Sequence, residues 1–466
     1  MTAFDPHALR RSFGGEVVVP GDPGFDRHRE VWNAVADRHP AVIARCTSAA
    51  DVAAAVRFGR DTGLEIAVKC GGHSMMGQSV ADGALVIDLG PMDEVRIDPE
   101  RRRASVQGGS LLRNLDRGAE PFGLATTAGN VSHTGVGGLT LGGGMGWLAR
   151  QFGLACDNVE QYSLVTADAE TVRASATENP DLFWGLRGGG GNFGLVTEFE
   201  FRLHPIGGRA LVADLFFEID KAAAAVRAWR ELLADAPRTA TLTSDVLTAA
   251  ADAQFLPAHV RGRPVATVGF VWVGDIDEGR AFLSRLRGVG RAAGERVLEM
   301  SYVEVQSIAD ENHHHGKRRY MKGHYLTEFS DAAIEAYLSR GLSDGAAPDA
   351  SHLPNGGFQA YGGAIADVGE DESAFSHRAT LLEFGAGSNW TDPAEDEARI
   401  GAARAFAAAM EPYASGVYVN VIADEGQDEV RRAYAERKLG RLAELKRRYD
   451  PDNLFHLNHN IRPAGS

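Results

Sequence analysis

Residues 135–146 read Gly-Val-Gly-Gly-Leu-Thr-Leu-Gly-Gly-Gly-Met-Gly, and no other stretch limits the chain so strongly. Seven glycines in twelve positions leave little side-chain volume, so the backbone can turn with positive φ and come close to a flat or charged ligand. A solvated Gly/Ser linker would be polar, whereas this run carries Val136, Leu139, Leu141 and Met145 and leads into Trp147. Two more glycine turns flank it: Lys69-Cys70-Gly71-Gly72-His73-Ser74 upstream and residues 188–194 downstream. The expectation is a surface built to hold a ligand.

At 466 residues the chain is long enough for two or three domains. A formal charge of -15 argues against a nucleic-acid partner, which needs a basic face to neutralise phosphates. The short basic stretches 101–103 and 317–319 read as solvated turns. No segment approaches the roughly 20 apolar residues of a membrane span, and the first residues lack the apolar core of a signal peptide. A cytoplasmic protein with no membrane partner is therefore expected. Cys46, Cys70 and Cys156 are an odd, scattered set, suited neither to a disulfide framework nor to a zinc motif.

Hydrophobic spacing predicts a helix over 25–38, a strand over 41–44, a helix over 48–63 and a strand over 65–69. Short runs at 84–89, 94–98 and 103–107 read as a meander, with Ser110 capping a helix to about 120. A helix follows over 146–152, then a hairpin over 161–166 and 170–174, a helix from Pro180 and an alternating strand over 195–203. Beyond 211 the texture changes to long strands (239–247, 266–273, 358–365, 378–384) and amphipathic helices (222–234, 278–287, 331–339), as in an antiparallel sheet with helices on one face. The end of the chain predicts an Ala-rich helix over 392–410, a strand over 416–422 and one charged helix over 428–448. The fold class is α+β, in three parts: 1–207, 208–415 and 416–466.

The glycine run is not the dinucleotide fingerprint, and no Gly-Lys-Ser/Thr is present. Backbone amides of two glycine turns can still cradle a pyrophosphate without a lysine. On spacing alone, His73 is either satisfied by a local carbonyl or presented to the ligand. The motif around it, Lys69-Cys70-Gly71-Gly72-His73-Ser74, resembles the Arg-x-Gly-Gly-His-Ser of the flavin-linked oxidases related to berberine bridge enzyme, within the vanillyl-alcohol oxidase superfamily. The resemblance continues in order. It takes in Asp82-Gly83 to Asp88-Leu89, Gln107-Gly108-Gly109, residues 129–146, Cys156-Asp157-Asn158 and residues 181–197. It closes with Tyr449-Asp450-Pro451-x-Asn453-x-Phe455-x-x-Asn458-x-Asn460-Ile461.

This resemblance implies a PCMH-type FAD-binding domain of two α/β subdomains over 1–207. A substrate domain with a helix-covered antiparallel sheet would follow over 208–415, and a berberine-bridge-like segment over 416–466 would return to the FAD domain. It implies FAD tethered covalently through His73, which raises the flavin's reduction potential and fixes its position. Many members add a cysteine in the pattern Gly-x-Cys-x-x-x-Gly-Val-Gly-Gly; Val131 stands there in this chain, so the tether is single.

By the same resemblance Lys69, Cys70, Gly71, Gly72, Ser74 and Gln78 form the first turn, with Gly71, Gly72 and Ser74 at the pyrophosphate. Thr127, Gly129, Asn130, Ser132, Thr134, Gly135, Gly138, Gly142 and Gly143 line the flavin, and Gly194 and Val196 lie toward the adenine. Tyr418 and Asn420 match a Tyr-x-Asn element, and Asn458 and Asn460 the terminal flavin contacts; by residue type alone such asparagines also cap turns. Val421 stands where many relatives carry a second tyrosine, so a phenolate base there is excluded.

Family chemistry is hydride transfer to flavin assisted by a protein base. His133, Tyr320, Tyr325 and Tyr418 are candidates for that base, with His324 and Glu383 beside them. His313, His314 and His315 are consecutive, their side chains point apart, and no metal site is expected. The implied function is an FAD-dependent oxidase or dehydrogenase of a small alcohol, amine or secondary-metabolite intermediate. As an oxidase it would pass electrons to molecular oxygen to give peroxide, a choice resting on small residues such as Thr134. The missing second tether favours a compact metabolite over bulky oligosaccharides. The alternatives are a flavin-containing drug-binding resistance protein with little turnover and a protein that holds FAD structurally.

Overall fold

The computed structural model describes residues 5–11, 13–342, 353–423 and 426–465. Its first sheet places Glu16–Val18, Val42–Arg45, Leu85–Asp88 and Ile66–Lys69 side by side in that order, parallel except for the first, edge strand. The helix Ala49–Thr62 makes the crossover, opened by Ser48 Oγ accepting the Asp51 amide at 3.2 Å and closed by Gly63 in the left-handed region. Leu85–Asp88 is buried at all four positions. A strand covered on both faces loses its alternation, so the meander expected at 84–89 is in fact a central parallel strand.

The first helix also differs from expectation: it spans only Phe25–Arg29. Lys69 Nζ donates to the carbonyls of His28 and Glu30 at 2.7 and 2.8 Å, which a continuing helix would have used. Val31 and Trp32 are instead buried on irregular backbone.

A five-stranded antiparallel sheet follows, ordered Val95–Asp98, Arg103–Gln107, Leu195–Arg202, Val159–Val165, Thr171–Ser175. Ser110 is not a helix cap. Its carbonyl accepts the Val136 amide at 2.9 Å, tying the glycine run to this sheet, and the helix Leu112–Ala119 starts two residues later. Inside the glycine run, Val136–Leu141 forms a short helix.

The second half is a seven-stranded antiparallel sheet ordered Gly294–Ser301, Arg209–Glu218, Pro264–Val273, Ala240–Thr248, Asn355–Ala360, Leu382–Trp390, Arg318–Leu326. Leu211, Phe270, Phe358 and Phe384 on one face pack against Trp229, Phe282, Tyr337 and Phe406 of the covering helices. The opposite face turns Met321, Gln359 and Glu383 toward the glycine-rich half.

The strands expected at 358–365 and 378–384 are shifted, because residues 361–378 leave the sheet. There Tyr361, Ile365, Ala374 and Phe375 join the core around Trp184. The buried Arg378–Asp157 pair, 2.6 Å, fixes this excursion. Arg150, also buried, donates to the carbonyls of Ala240 at 2.9 Å, Ala236 at 3.1 Å and Tyr361, joining the two halves.

The C-terminal segment corrects two further expectations. Residues 416–422 make a single bridge, Gly416 with Tyr325, and then the 3-10 turn Val419–Val421. The charged helix is two helices, Gln427–Ala433 and Glu436–Tyr449, because Tyr434 is extended at φ -126°, ψ 139°. Its hydroxyl donates to the Gly188 carbonyl at 2.9 Å. Lys446, fully buried, donates to Asp450 at 2.6 Å and to the carbonyls of Phe455 and Asn192 at 2.8 and 2.9 Å. No helix among the described residues is long and apolar enough to cross a membrane.

Candidate functional site

These elements enclose a cavity of about 470 Å³, the size of a small-molecule or cofactor site. Its floor comes from the first glycine turn, the glycine run and Gly189 to Asn192; one wall from Tyr418, Asn420, Tyr434 and Asn458; its roof from Met321, Gln359 and Glu383. Among the described residues no lysine or arginine lines it. A Cβ on Gly71 would stand 2.4 Å from the Gly135 amide nitrogen, so the two turns meet backbone to backbone. Asn130 Oδ1, Gln359 Nε2 and Asn458 Oδ1 belong to lining residues and are buried without hydrogen-bond partners. Buried polar atoms of this kind cost free energy unless paired, and a polar ligand in the cavity would supply partners.

At one end stands His73. Its ring stacks on Trp32 at 4.7 Å with 14° between planes, Nε2 lies 2.7 Å from His133 Nδ1, and Nδ1 lies 3.3 Å from Thr134 Oγ1. Burial, reinforced by His133 and His315, holds the His73 pKa well below its usual value. Burial also lowers His133 and pushes His313 and His315 to about 4, so the cluster is neutral at pH 7.

At the roof is Glu383, whose carboxyl burial pushes up to about 7. Tyr361 donates to Glu383 Oε2 at 2.7 Å, and Tyr325 Oη lies 3.3 Å from Tyr361 Oη. Among the described residues no cation pairs with this carboxyl.

The sequence-derived residues divide clearly. Cys70, Gly71, Gly72, His73, Ser74, Gln78, Gly129, Asn130, Thr134, Gly135, Gly138, Gly142, Gly194, Val196, Tyr418, Asn420 and Asn458 all line the cavity. Lys69 does not; it is spent on the His28 and Glu30 carbonyls. Thr127 donates to the Gly153 carbonyl at 2.6 Å, Ser132 to Asp310 at 2.6 Å, and Gly143 packs against Phe375 and Tyr418, all behind the lining. Asn460 also lies outside it, with Oδ1 buried and unpartnered.

Tyr418 Oη accepts from the amides of Gly144 and Met145 at 2.8 and 3.3 Å and from Asn420 Nδ2 at 2.8 Å, so it is a post for the glycine run. Burial raises its pKa further above the usual phenol value. Tyr320 and His324 sit on the helix-facing side of their strand. Tyr320 packs with Trp390 and Ala403, and His324 Nε2 meets the Ala407 carbonyl at 3.0 Å. Strand alternation therefore removes both from the cavity. Tyr325 lies behind the lining, hydrogen-bonded to Tyr361, which donates to Glu383, and stacked on Tyr418 at 6.2 Å.

Three sheets, three glycine-rich segments and a returning C-terminal segment around such a cavity define a flavoprotein oxidoreductase. A family profile for the FAD binding domain matches residues 40–175, and one for berberine and berberine-like proteins matches residues 417–462. The chain is 32% identical to (R)-6-hydroxynicotine oxidase of Paenarthrobacter nicotinovorans over 98% of both proteins. It is 28% identical to the uncharacterized FAD-linked oxidoreductase YvdP of Bacillus subtilis over 97% of this chain and 98% of that one. The solved structure of 6-hydroxy-D-nicotine oxidase from Arthrobacter nicotinovorans superposes with a TM-score of 0.84 at 30% identity, covering 97% of this chain and 98% of that one. Glucooligosaccharide oxidase from Acremonium strictum, described with a 6-S-cysteinyl, 8α-N1-histidyl FAD, shares the fold at a TM-score of 0.86 and 24% identity, covering 99% and 100%.

The chain belongs to the FAD-linked oxidoreductases of the berberine bridge enzyme-like family. It is an enzyme, and its cofactor is FAD. The residues present fit that cofactor: the glycine lining gives backbone access without cations, and the orphaned Asn130, Gln359 and Asn458 atoms await polar partners.

Proposed function

We propose that this enzyme oxidises a compact organic metabolite, an alcohol or amine, with FAD attached through His73 alone and Glu383 as proton acceptor. The observation that supports this best is one cavity with a neutral, stacked imidazole at one end and a lone carboxyl on its roof. When bound, FAD supplies the acceptor for the substrate's hydride and hands the electrons to molecular oxygen, giving peroxide.

Trp32 and His133 hold the His73 ring, and His133 occupies Nε2, so Nδ1 is the nitrogen offered for attachment. The glycine turns and Asn420 shape the floor, and Tyr434 and Asn458 close the wall. Glu383 takes the proton from the substrate's hydroxyl or ammonium as the C–H bond breaks; a carboxyl titrating near 7 suits a general base. Tyr361 holds the carboxyl through Oε2. Met321 and Val421, both lining residues, give the roof an apolar surface suited to a small substrate.

The test is the absorption spectrum of purified protein, of its acid-precipitated pellet, and of the anaerobic enzyme mixed with alcohols and amines. Yellow pellet colour lost in His73→Ala, with bleaching by substrate and peroxide formed in air, is the expected result. Flavin that stays oxidised with every compound would mark a binding protein, and colour wholly in the supernatant would remove the tether.

A further inference from the structure

We propose that His73, His133 and His315 form a binding site for a divalent late first-row transition metal, zinc being the best match, next to the point of flavin attachment. The three residues come from the first glycine turn, the loop before the glycine-run helix, and the loop that enters the strand Arg318–Leu326. Their ring centroids are 4.8, 5.6 and 5.6 Å apart, and one ring nitrogen of each lies within 4.8 Å of the others. Three imidazoles on a tetrahedral zinc, with Zn–N of about 2.0–2.1 Å and each centroid about 1.1 Å further out, have centroids about 5 Å apart. The ring centres therefore stand near coordinating separation, and the nitrogens, up to 4.8 Å apart, need to draw together on the His315 side. His73 Nε2 and His133 Nδ1, at 2.7 Å, need only open by a few tenths of an ångström toward the roughly 3.3 Å between two nitrogens on one ion.

One further observation supports the site. His133 Nε2 is buried without a hydrogen-bond partner, so it can carry that ring's proton while Nδ1 faces the ion. The cations facing the cluster are Arg319, Lys69 and Arg113, and the anion is Asp310. Arg319 is drawn aside over the Trp32 ring at 4.2 Å, and Lys69 is spent on carbonyls. Consecutive histidines do point apart: His313 stacks on Trp32 and His314 is exposed, leaving His315 alone to meet two distant partners. The fourth position of such an ion is open to water.

The inference rests on the function proposed above in one respect: flavin must leave His73 through Nδ1, which preserves a proton-free lone pair at Nε2. An ion there would clamp a loop of the second half onto the turn that carries the flavin. The experiment strips the holoprotein with chelator, dialyses it against zinc or cobalt chloride, and measures bound metal and the visible spectrum. One zinc per chain is expected, and cobalt should give the strong bands of a four-coordinate ion to the red of the flavin. His315→Ala and His315→Asn, at an exposed position, should weaken zinc binding more than about 100-fold, beyond the cost of losing an outer-shell partner. Covalent flavin should be unchanged in both. No retained zinc in the parent, or equal binding in both variants, overturns the site. Absence of covalent flavin in the parent would count against the tether and leave the metal result readable by itself.

Discussion

His73 Nε2 and His133 Nδ1 stand 2.7 Å apart, and a single proton lies between them. His133 thereby sets which nitrogen of His73 presents a lone pair. His133→Ala should lower the fraction of flavin that is covalent several-fold while total flavin stays near that of the parent. His133→Gln, whose Oε1 can still accept from the Nε2–H of His73, should lose less. The ratio of flavin absorbance in the acid pellet to that in the native protein measures this; equal ratios in parent and His133→Ala would refute it.

Glu383 predicts a pH profile. Only the ionised carboxylate accepts a proton, so kcat/KM should rise with pH and level off above about 7. Glu383→Gln should lose about 10²–10⁴-fold in rate together with that rise. Stability should move the opposite way. The native carboxyl keeps its proton to about 7, whereas the unfolded one releases it near 4.5, so its contribution is full below that value and is lost as pH rises through 7. Thermal melts should therefore show Glu383→Gln gaining on the parent from acid to alkaline pH.

Lys446 and Asp450 are both fully buried, and Lys446 also holds two carbonyls. Removing one member of such a pair leaves an uncompensated charge, at a cost of about 3–5 kcal/mol. Lys446→Met should lower the melting temperature sharply, and Lys446→Met with Asp450→Asn should recover part of the loss.

A Cβ on Gly142 would fall 2.0 Å from Asn420 Oδ1, and Asn420 cannot retreat because Nδ2 donates to the Leu139 carbonyl at 3.0 Å and to Tyr418 Oη at 2.8 Å. Gly142→Ala should yield folded protein with a reduced ratio of flavin to protein absorbance. Gly440→Ala, where nothing lies within 4 Å, should keep the parent's ratio.

Much of this architecture is legible in the residues. Glycines and motif order point to the cavity, and alternation marks the strand Ala240–Thr248, because helices cover one face of its sheet. Leu85–Asp88 hides its place because burial on both faces erases alternation. The break at Tyr434 is invisible because its cause, a hydrogen bond to Gly188, lies far away in the chain. Glu383 could not be separated from Tyr320 or His324 without knowing which face of the sheet meets the helix Asp396–Met410. His315 shows locally only as one of three consecutive histidines; its meeting with His73 and His133 is a product of tertiary packing.

Tyr418, Asn420, Tyr434 and Asn458 supply one wall of the cavity, yet they lie far beyond the glycine turns along the chain. Synthesis runs from the N-terminus, so the glycine turns emerge from the ribosome long before the wall that completes them. The cavity is thus incomplete until Asn458 has been made, and a nascent chain short of it lacks one wall of the flavin site.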